Sequence, residues 1–382
     1  MTDLAERVRR YPKKLADAYR PARWLSTAAA AVPVIAVISG VSLAGTHATG
    51  ASLSAGARGM PPYYVAFVRR FTGNDTQVRA KAVVHDSATG VALATVDVPT
   101  LASGAYSDGP DITAAADDRT FVITELSQIG RADHLARFYL LRVAASGRSA
   151  ALTRLPISLP RSLAVADIAL SPDGTRLAMQ EQSCYSGGCY YSGIRIVTIS
   201  TGSARTWTTQ VSGAPFAVSW AGNSTIAFLW HSKYRLLSVT SHGGNLLASR
   251  PIASPTAQPD GYVPPALVTM DQTSLITSAV RNIPGRRRTD AAKAEVIELS
   301  ARTGKILRIL STTTLHRATR GEQGTAEDLD TDCRVLSLAP AGTSVLVSCP
   351  SFGRVDNGSF TPLPGFPSGS SSGIGGQDEG AW

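Results

Sequence analysis

The chain has 382 residues, of which 43% are hydrophobic and only 17% charged, with 34 Gly and 22 Pro. So many turn-forming residues exclude a helical bundle and favour many short strands. The net charge is +9, yet Met1 to Arg23 alone carry seven Lys/Arg against three Asp/Glu, so the rest is too dilute in positive charge for a nucleic-acid stripe and no nucleic acid is expected as a partner.

Residues 1–23 read as a basic cytoplasmic tail. Leu4, Val8, Tyr11, Leu15 and Ala18 fall at helical spacing within it, interrupted by Pro12. From Trp24 to Gly45 runs "WLSTAAAAVPVIAVISGVSLAG", 22 residues without a charge, and the next charged residue is Arg58. About 20 apolar residues cross a bilayer core. Residues 24–45 are therefore expected to form one transmembrane helix. Arg7, Arg9, Arg10, Lys13, Lys14, Arg20 and Arg23 precede it, which places the N-terminus inside and the bulk of the chain outside. A cleaved signal peptide, cut after Ala48, is the alternative, although its basic region would be long. Both readings export the remainder of the chain. Residues 46–60 read as a linker.

Residues 61–382 carry a repeat. "ALSPDGTRLAM", from Ala169 to Met179, is an apolar run, a tight turn and a second apolar run. The pattern recurs in "AAADDRTFVITEL", "AVSWAGNSTIAFLW", "LVTMDQTSLITSAV" and "LSLAPAGTSVLVSC". Phe121, Leu177, Ile226, Leu275 and Val345 are the equivalent positions, spaced by 56, 49, 49 and 70 residues. A second hairpin follows each copy, and one stands before the first. Their turn glycines are Gly90, Gly147, Gly202, Gly244, Gly304 and Gly358. Two hairpins make a four-stranded sheet whose inner strands are apolar on both faces. Such sheets must pack face to face around an axis, as the blades of a propeller. The expected fold is all-β: a six-bladed β-propeller of four-stranded blades, preceded by one transmembrane helix. The first blade lacks an innermost strand before "YYVAF", and Ala381 and Trp382 are expected to return and supply it, after a flexible Ser/Gly connector.

This hairpin pair resembles the repeat of TolB-like and WD-repeat propellers over about 300 residues. The full Ser-Pro-Asp-Gly turn occurs once, at Ser171 to Gly174, and no blade has the Trp-Asp or Gly-His pairs of eukaryotic WD repeats. The layout also resembles uncharacterised membrane-anchored WD-repeat-like proteins of bacteria. The resemblance implies the fold and no specific ligand.

Four Cys all lie beyond the apolar segment. Cys184 with Cys189, and Cys333 with Cys349, are the local pairings expected in an oxidising compartment, out of three possible connectivities. Neither spacing suits zinc or a redox dithiol.

Sites that carry chemistry are sparse. Gly369 to Gly373 matches Gly-x-Ser-x-Gly but lies in a connector with no helix after it. Asp328, Asp330 and Asp332 alternate as in a calcium loop, with Cys333 and Ala339 where Gly and Glu belong. The six His are scattered, and His231 follows Trp230 at a strand end. Equivalent inner-strand positions read mostly as Ala, Ser and apolar residues, which counts against catalysis. Asn74, Asn223 and Asn357 head glycosylation sequons, which the resemblance to bacterial proteins implies are unused. Arg286, Arg287 and Arg288 form a candidate charged rim, and an acidic insertion from Glu322 to Asp332 comes soon after. Tyr185, Tyr190 and Tyr191 crowd the Cys184–Cys189 loop and form the candidate binding loop.

The sequence therefore reads as a membrane-anchored extracytoplasmic module that binds a protein or cell-envelope polymer, with no catalysis and no cofactor expected. Two alternatives stand beside it. One is a propeller hydrolase or lyase acting on glycans or peptides. The other is a transmembrane sensor with a cytoplasmic partner.

Overall fold

The computed structural model describes most of residues 60–364 together with 380–381; residues 1–59, 100–105, 256–265, 283–290, 317–332 and 365–379, and several shorter turns, lie outside it. The predicted tail and span thus fall outside the described residues. No helix among the described residues is long and apolar enough to cross a membrane. All described strands belong to the unit Leu53–Trp382.

Blade one contains β1 (Tyr63–Thr72), β2 (Gln77–Asp86) and β3 (Ala92–Val98). Blade two is β4 (Tyr106–Ala114), β5 (Thr120–Gln128), β6 (His134–Val143) and β7 (Ala150–Arg154). Blade three is β8 (Leu163–Leu170), β9 (Arg176–Tyr185), β10 (Gly188–Thr198) and β11 (Ala204–Thr208). Blade four has β12 (Pro215–Trp220), β13 (Thr225–Trp230) and β14 (Lys233–Ser238), then a detour through β15 (Gly244–Asn245) before β16 (Arg250–Pro251). Blade five is β17 (Ala266–Val268), β18 (Ser274–Asn282), β19 (Ala291–Ser300) and β20 (Ile306–His316). Blade six is β21 (Arg334–Leu338), β22 (Ser344–Cys349), β23 (Ser351–Asp356) and β24 (Ser359–Pro362), and β25 (Gly380–Ala381) comes last.

The pairing is antiparallel within every blade, and β25 sits beside β1, so that blade one reads β25-β1-β2-β3. Val65 pairs with Ala381 and Ala66 with Gly380. The final residues therefore supply the missing innermost strand; Trp382 lies outside the described residues. Neighbouring blades touch through their inner strands all the way round, from β4 against β8 to β21 against β25 and β25 against β4. This is a closed ring of six blades.

The core consists of six seams rather than one centre. Tyr63, Val65 and Phe121 fill the seam between blades one and two, and Val122, Leu177 and Met179 the next. Trp207, Trp220 and Phe228 fill the third, and Tyr234, Leu275 and Leu299 the fourth. Val296, Val335 and Val347 fill the fifth, and Tyr64, Leu346 and Leu363 close the ring. A blade that is apolar on both faces has no other way to remove that area from water. The five repeat positions Phe121, Leu177, Ile226, Leu275 and Val345 are all buried.

In five of the six predicted turn glycines φ lies between +69°, at Gly202, and +87°, at Gly358, the left-handed region these turns require. A Cβ on Gly147 would lie 2.4 Å from the Tyr63 ring, so the same glycine permits close packing of blades one and two. Gly244 departs from the expectation. It opens β15, which runs parallel to β11 of blade three, and the outer strand of blade four is β16 instead. The physical reason is local. Asn245 caps a 3-10 turn at Leu246–Ala248, its side chain accepting from the Leu247 N–H at 2.9 Å, and that turn buries Leu246 in the seam.

Strand alternation gives the ring two unlike ends. Connections between first and second strands, and between third and fourth, are tight turns at one end. Connections between second and third strands, and between blades, lie at the other. β1 is a second strand, so the chain enters the ring at the tight-turn end.

Candidate functional site

The loop end carries the sequence-predicted features. The β9–β10 hairpin pairs Tyr185 with Gly188 and Cys184 with Cys189. β8 pairs with β9 no further than Ser183, and β11 with β10 no further than Gly193. The tip from Cys184 to Tyr191 therefore extends past both flanking strands. Cys184 is disulfide-bonded, and there is no free cysteine among the described residues. Tyr190 on this tip is 62% exposed. The side chains of Tyr185, Cys189 and Tyr191 lie outside the described residues.

Cys333 and Cys349 form a disulfide with Cα atoms 4.3 Å apart, joining the start of β21 to the end of β22. Arg286, Arg287 and Arg288 lie outside the described residues, as do Asp328, Asp330, Asp332 and the Gly369–Gly373 stretch. The strands flanking the arginine insertion, β18 and β19, have their adjoining ends at the loop end.

The tight-turn end explains the Asp residues of the repeat. Asp173 Oδ1 accepts from the Thr175 N–H at 3.0 Å and from the Thr175 and Ser171 hydroxyls at 2.7 and 2.6 Å. Partial burial opposes ionisation, but these bonds hold the carboxyl below its ordinary range. Asp117 and Asp271 repeat the arrangement. Asn223 Oδ1 accepts from the Asp173 N–H at 3.0 Å, across to the next blade. His231 is exposed, and its φ of 45° together with 63° at Ser232 marks a tight hairpin turn rather than a cleft.

The inner strands hold what the sequence reading misses. The expectation of Ala, Ser and apolar residues fails at Asp111 and Asp167, which occupy the same position in blades two and three, each three residues before the tight turn. The signal is present in the repeat alignment: Ala114 and Leu170 are equivalent, so Asp111 and Asp167 are too. Asp167 stands at a β-bulge, Val165/Asp167, while Asp111 follows the bulge at Ser107/Gly109 by two residues. A bulge turns a side chain away from the regular alternation that sequence reading assumes. The Ile112 N–H donates to Asp111 Oδ1 at 2.8 Å. The Val218 N–H of blade four donates to Asp167 Oδ2 at 2.7 Å. Burial pushes the Asp167 carboxyl up to about 7, although bonds from the Val218 and Ile168 N–H groups act in the opposite sense. Inner strands are stitched elsewhere too, by the Leu170 N–H to Thr113 Oγ1 at 3.0 Å and the Trp220 indole to the Ala169 carbonyl at 2.8 Å.

At the closing seam, His85 stacks on Tyr64 with ring centroids 4.8 Å apart. Its Nδ1 lies 2.9 Å from the Gly90 carbonyl, and its Nε2 is buried without a hydrogen-bond partner. Burial lowers the His85 pKa, partly offset by the Gly90 carbonyl. Burial, with Asp86 nearby, pushes the Tyr64 hydroxyl up to about 12.

No family model matches the chain, and no curated protein does. Among solved structures, tricorn protease is similar at 11% identity and a TM-score of 0.40, covering 78% of this chain and 31% of its own. A putative TolB from Agrobacterium tumefaciens is similar at 11% identity and a TM-score of 0.36, covering 79% of this chain and 88% of its own. A protein of unknown function from Bacteroides caccae is similar at 11% identity and a TM-score of 0.37, covering 78% and 91%. This chain thus spans about a third of the length of tricorn protease. The class of protein, a six-bladed β-propeller, rests on the strand order of the chain itself.

Proposed function

We propose that the chain is a membrane-anchored, extracytoplasmic binding module that engages a protein or envelope polymer at its loop end through the β9–β10 hairpin. The observation that supports this is the tip itself. It extends past both neighbouring strands, Cys184 is held in a disulfide, and Tyr190 is 62% exposed. A rigid aromatic side chain loses little entropy on binding and presents both an apolar face and a hydroxyl. The proposed anchor is the apolar segment 24–45, and the basic tail sets its orientation. The chain enters the ring at the tight-turn end, opposite the hairpin.

The test is crosslinking in intact cells followed by pull-down, with the full chain and with residues 183–193 replaced by a short Gly-Ser turn. Partners that disappear with the hairpin, from a variant that melts like the parent, support the reading. An unchanged set of partners overturns it.

A further inference from the structure

We infer that the outer corner of blades four and five, at the tight-turn end, docks on an anionic lipid surface, with the loop end turned away from it. The argument starts from β20, the outer strand of blade five. Ile306, Leu307 and Ile309 are 47%, 56% and 50% exposed, so three large apolar side chains meet water within four consecutive positions. Ile306 pairs with Leu299, and Ile309 with Ile297. Cross-strand partners share a sheet face, and Leu299 and Ile297 belong to the seam with blade four. The two isoleucines therefore continue that seam outward. Blade four does not cover them, because its outer strand β16 has two residues where β20 has eleven. Clustered apolar area on an edge strand is a liability in water unless something covers it.

The charges beside this strip choose the occupant. Arg302 and Lys305 lie in the β19–β20 turn and Arg250 in β16, all three exposed. The Ala253 N–H donates to the Ala301 carbonyl at 3.0 Å, so the chain leaving β16 touches that turn. Glu298 neutralises Arg308, and Asp271, in the other tight turn of blade five, offsets one further cation. The corner is left net positive. A second copy pairing through β20 would bring the same cations together, which disfavours it. A bilayer with anionic headgroups takes both features, the cations at its phosphates and the aliphatic side chains at the acyl boundary. An open cleft of about 500 Å³ adds to this, walled by Trp207, Ser238, Asn245, Arg250 and Gln272 among others. Ser238 ends β14 and Gln272 lies in the β17–β18 turn, so both stand at the tight-turn end. Guanidinium, amide and hydroxyl groups in one cleft suit the phosphate and glycerol of a lipid headgroup.

The course of the chain brings this corner to a membrane, a step that rests on the proposed anchor. Met60 meets Arg354 of blade six, which also donates to the Ser87 carbonyl beyond β2. Blade six in turn touches β20 through β24. The entry point and the apolar strip are thus one blade apart at the same end of the ring. The proposed linker, residues 46–60, reaches about 50 Å at most. Val91 and Met270, both exposed, lie at this end too.

The experiment places the full chain in lipid nanodiscs, one set of phosphatidylcholine alone and one with phosphatidylglycerol added, and follows amide hydrogen exchange. Amides 306–312 are expected to exchange about fivefold more slowly or better in the anionic discs, with the 184–191 tip unchanged. Arg302→Gln with Lys305→Gln is expected to remove that protection, since each cation at an anionic surface is worth about fivefold in binding. Ile306→Ser with Leu307→Ser is expected to remove it too. All four side chains are exposed, so neither pair is expected to lower the melting temperature. Equal exchange in the two discs, or protection that survives both pairs, overturns the docking. So does protection of β20 that grows with protein concentration in the absence of lipid, which makes a second copy the occupant. A chain that enters neither disc overturns the anchor reading instead. Flotation with vesicles of the two compositions then decides the docking: binding to the anionic vesicles alone is expected, and equal or absent binding overturns it.

Discussion

His85 and Asp167 are displaced by burial in opposite senses, and their effects on stability run in opposite pH directions. The folded pKa of His85 is lowered, so the folded state binds fewer protons than the unfolded one. Its stabilising contribution is present above the unfolded value of 6.5 and is lost as pH falls. Asp86 acts on the neighbouring Tyr64 hydroxyl, and Arg354 donates to the Ser87 carbonyl. The folded pKa of Asp167 is raised to about 7, so its contribution is present in acid and lost as pH rises through that value. The stability difference between His85→Asn and the parent is therefore expected to shrink from pH 7 to pH 5. Asp167→Asn is expected to gain on the parent from pH 5 to pH 8. Urea melts at three pH values check both, and parallel curves for parent and variants would contradict the assignment.

At the scale of elements, the repeated hairpin is legible in the sequence because its chemistry is local. An Asp that accepts from a backbone N–H two or three residues ahead, as Asp117, Asp173 and Asp271 do, fixes a tight turn from within the turn itself. Blade four breaks the pattern at Gly244 because its outer strand is chosen by burial of Leu246 in the seam, which no turn residue announces. The two residues of β25 are the shortest kind of strand, yet they cover Val65 and Ala66, both fully buried. Removing residues 377–382 opens an edge on blade one and uncovers the first seam. The expected result is a melting temperature lower by about 5 °C or more, since each kcal/mol lost shifts a large domain by about 2 °C. A calorimetric scan of the truncated chain would show it, and an unshifted transition would mean that β25 contributes little.

At the scale of the whole molecule, the proposed anchor and the ring address different solvents. A charge-free segment of 22 residues flanked by seven basic ones is expected to retain the protein in the membrane fraction after alkaline carbonate washing. Replacing Val34 and Val37 with Asp is expected to release it. Protease added outside intact cells is expected to reach the ring, while an epitope on the basic tail stays protected. Cleavage of the tail epitope under those conditions would reverse the orientation.

The sequence alone carried the blade pattern and the return of the last residues, and it offered Cys333 with Cys349 as one of the open pairings. Each of these rests on spacing along the chain or on hydrophobic surface that has one place to go. Only the tertiary structure decided which residues meet across blades. Asp167 and Val218 are 51 residues apart in the sequence and meet only when blades three and four pack side by side. The buried His85 ring was likewise invisible. Burial and partnership are properties of a site in space, and a single chain lists residues without saying what surrounds them.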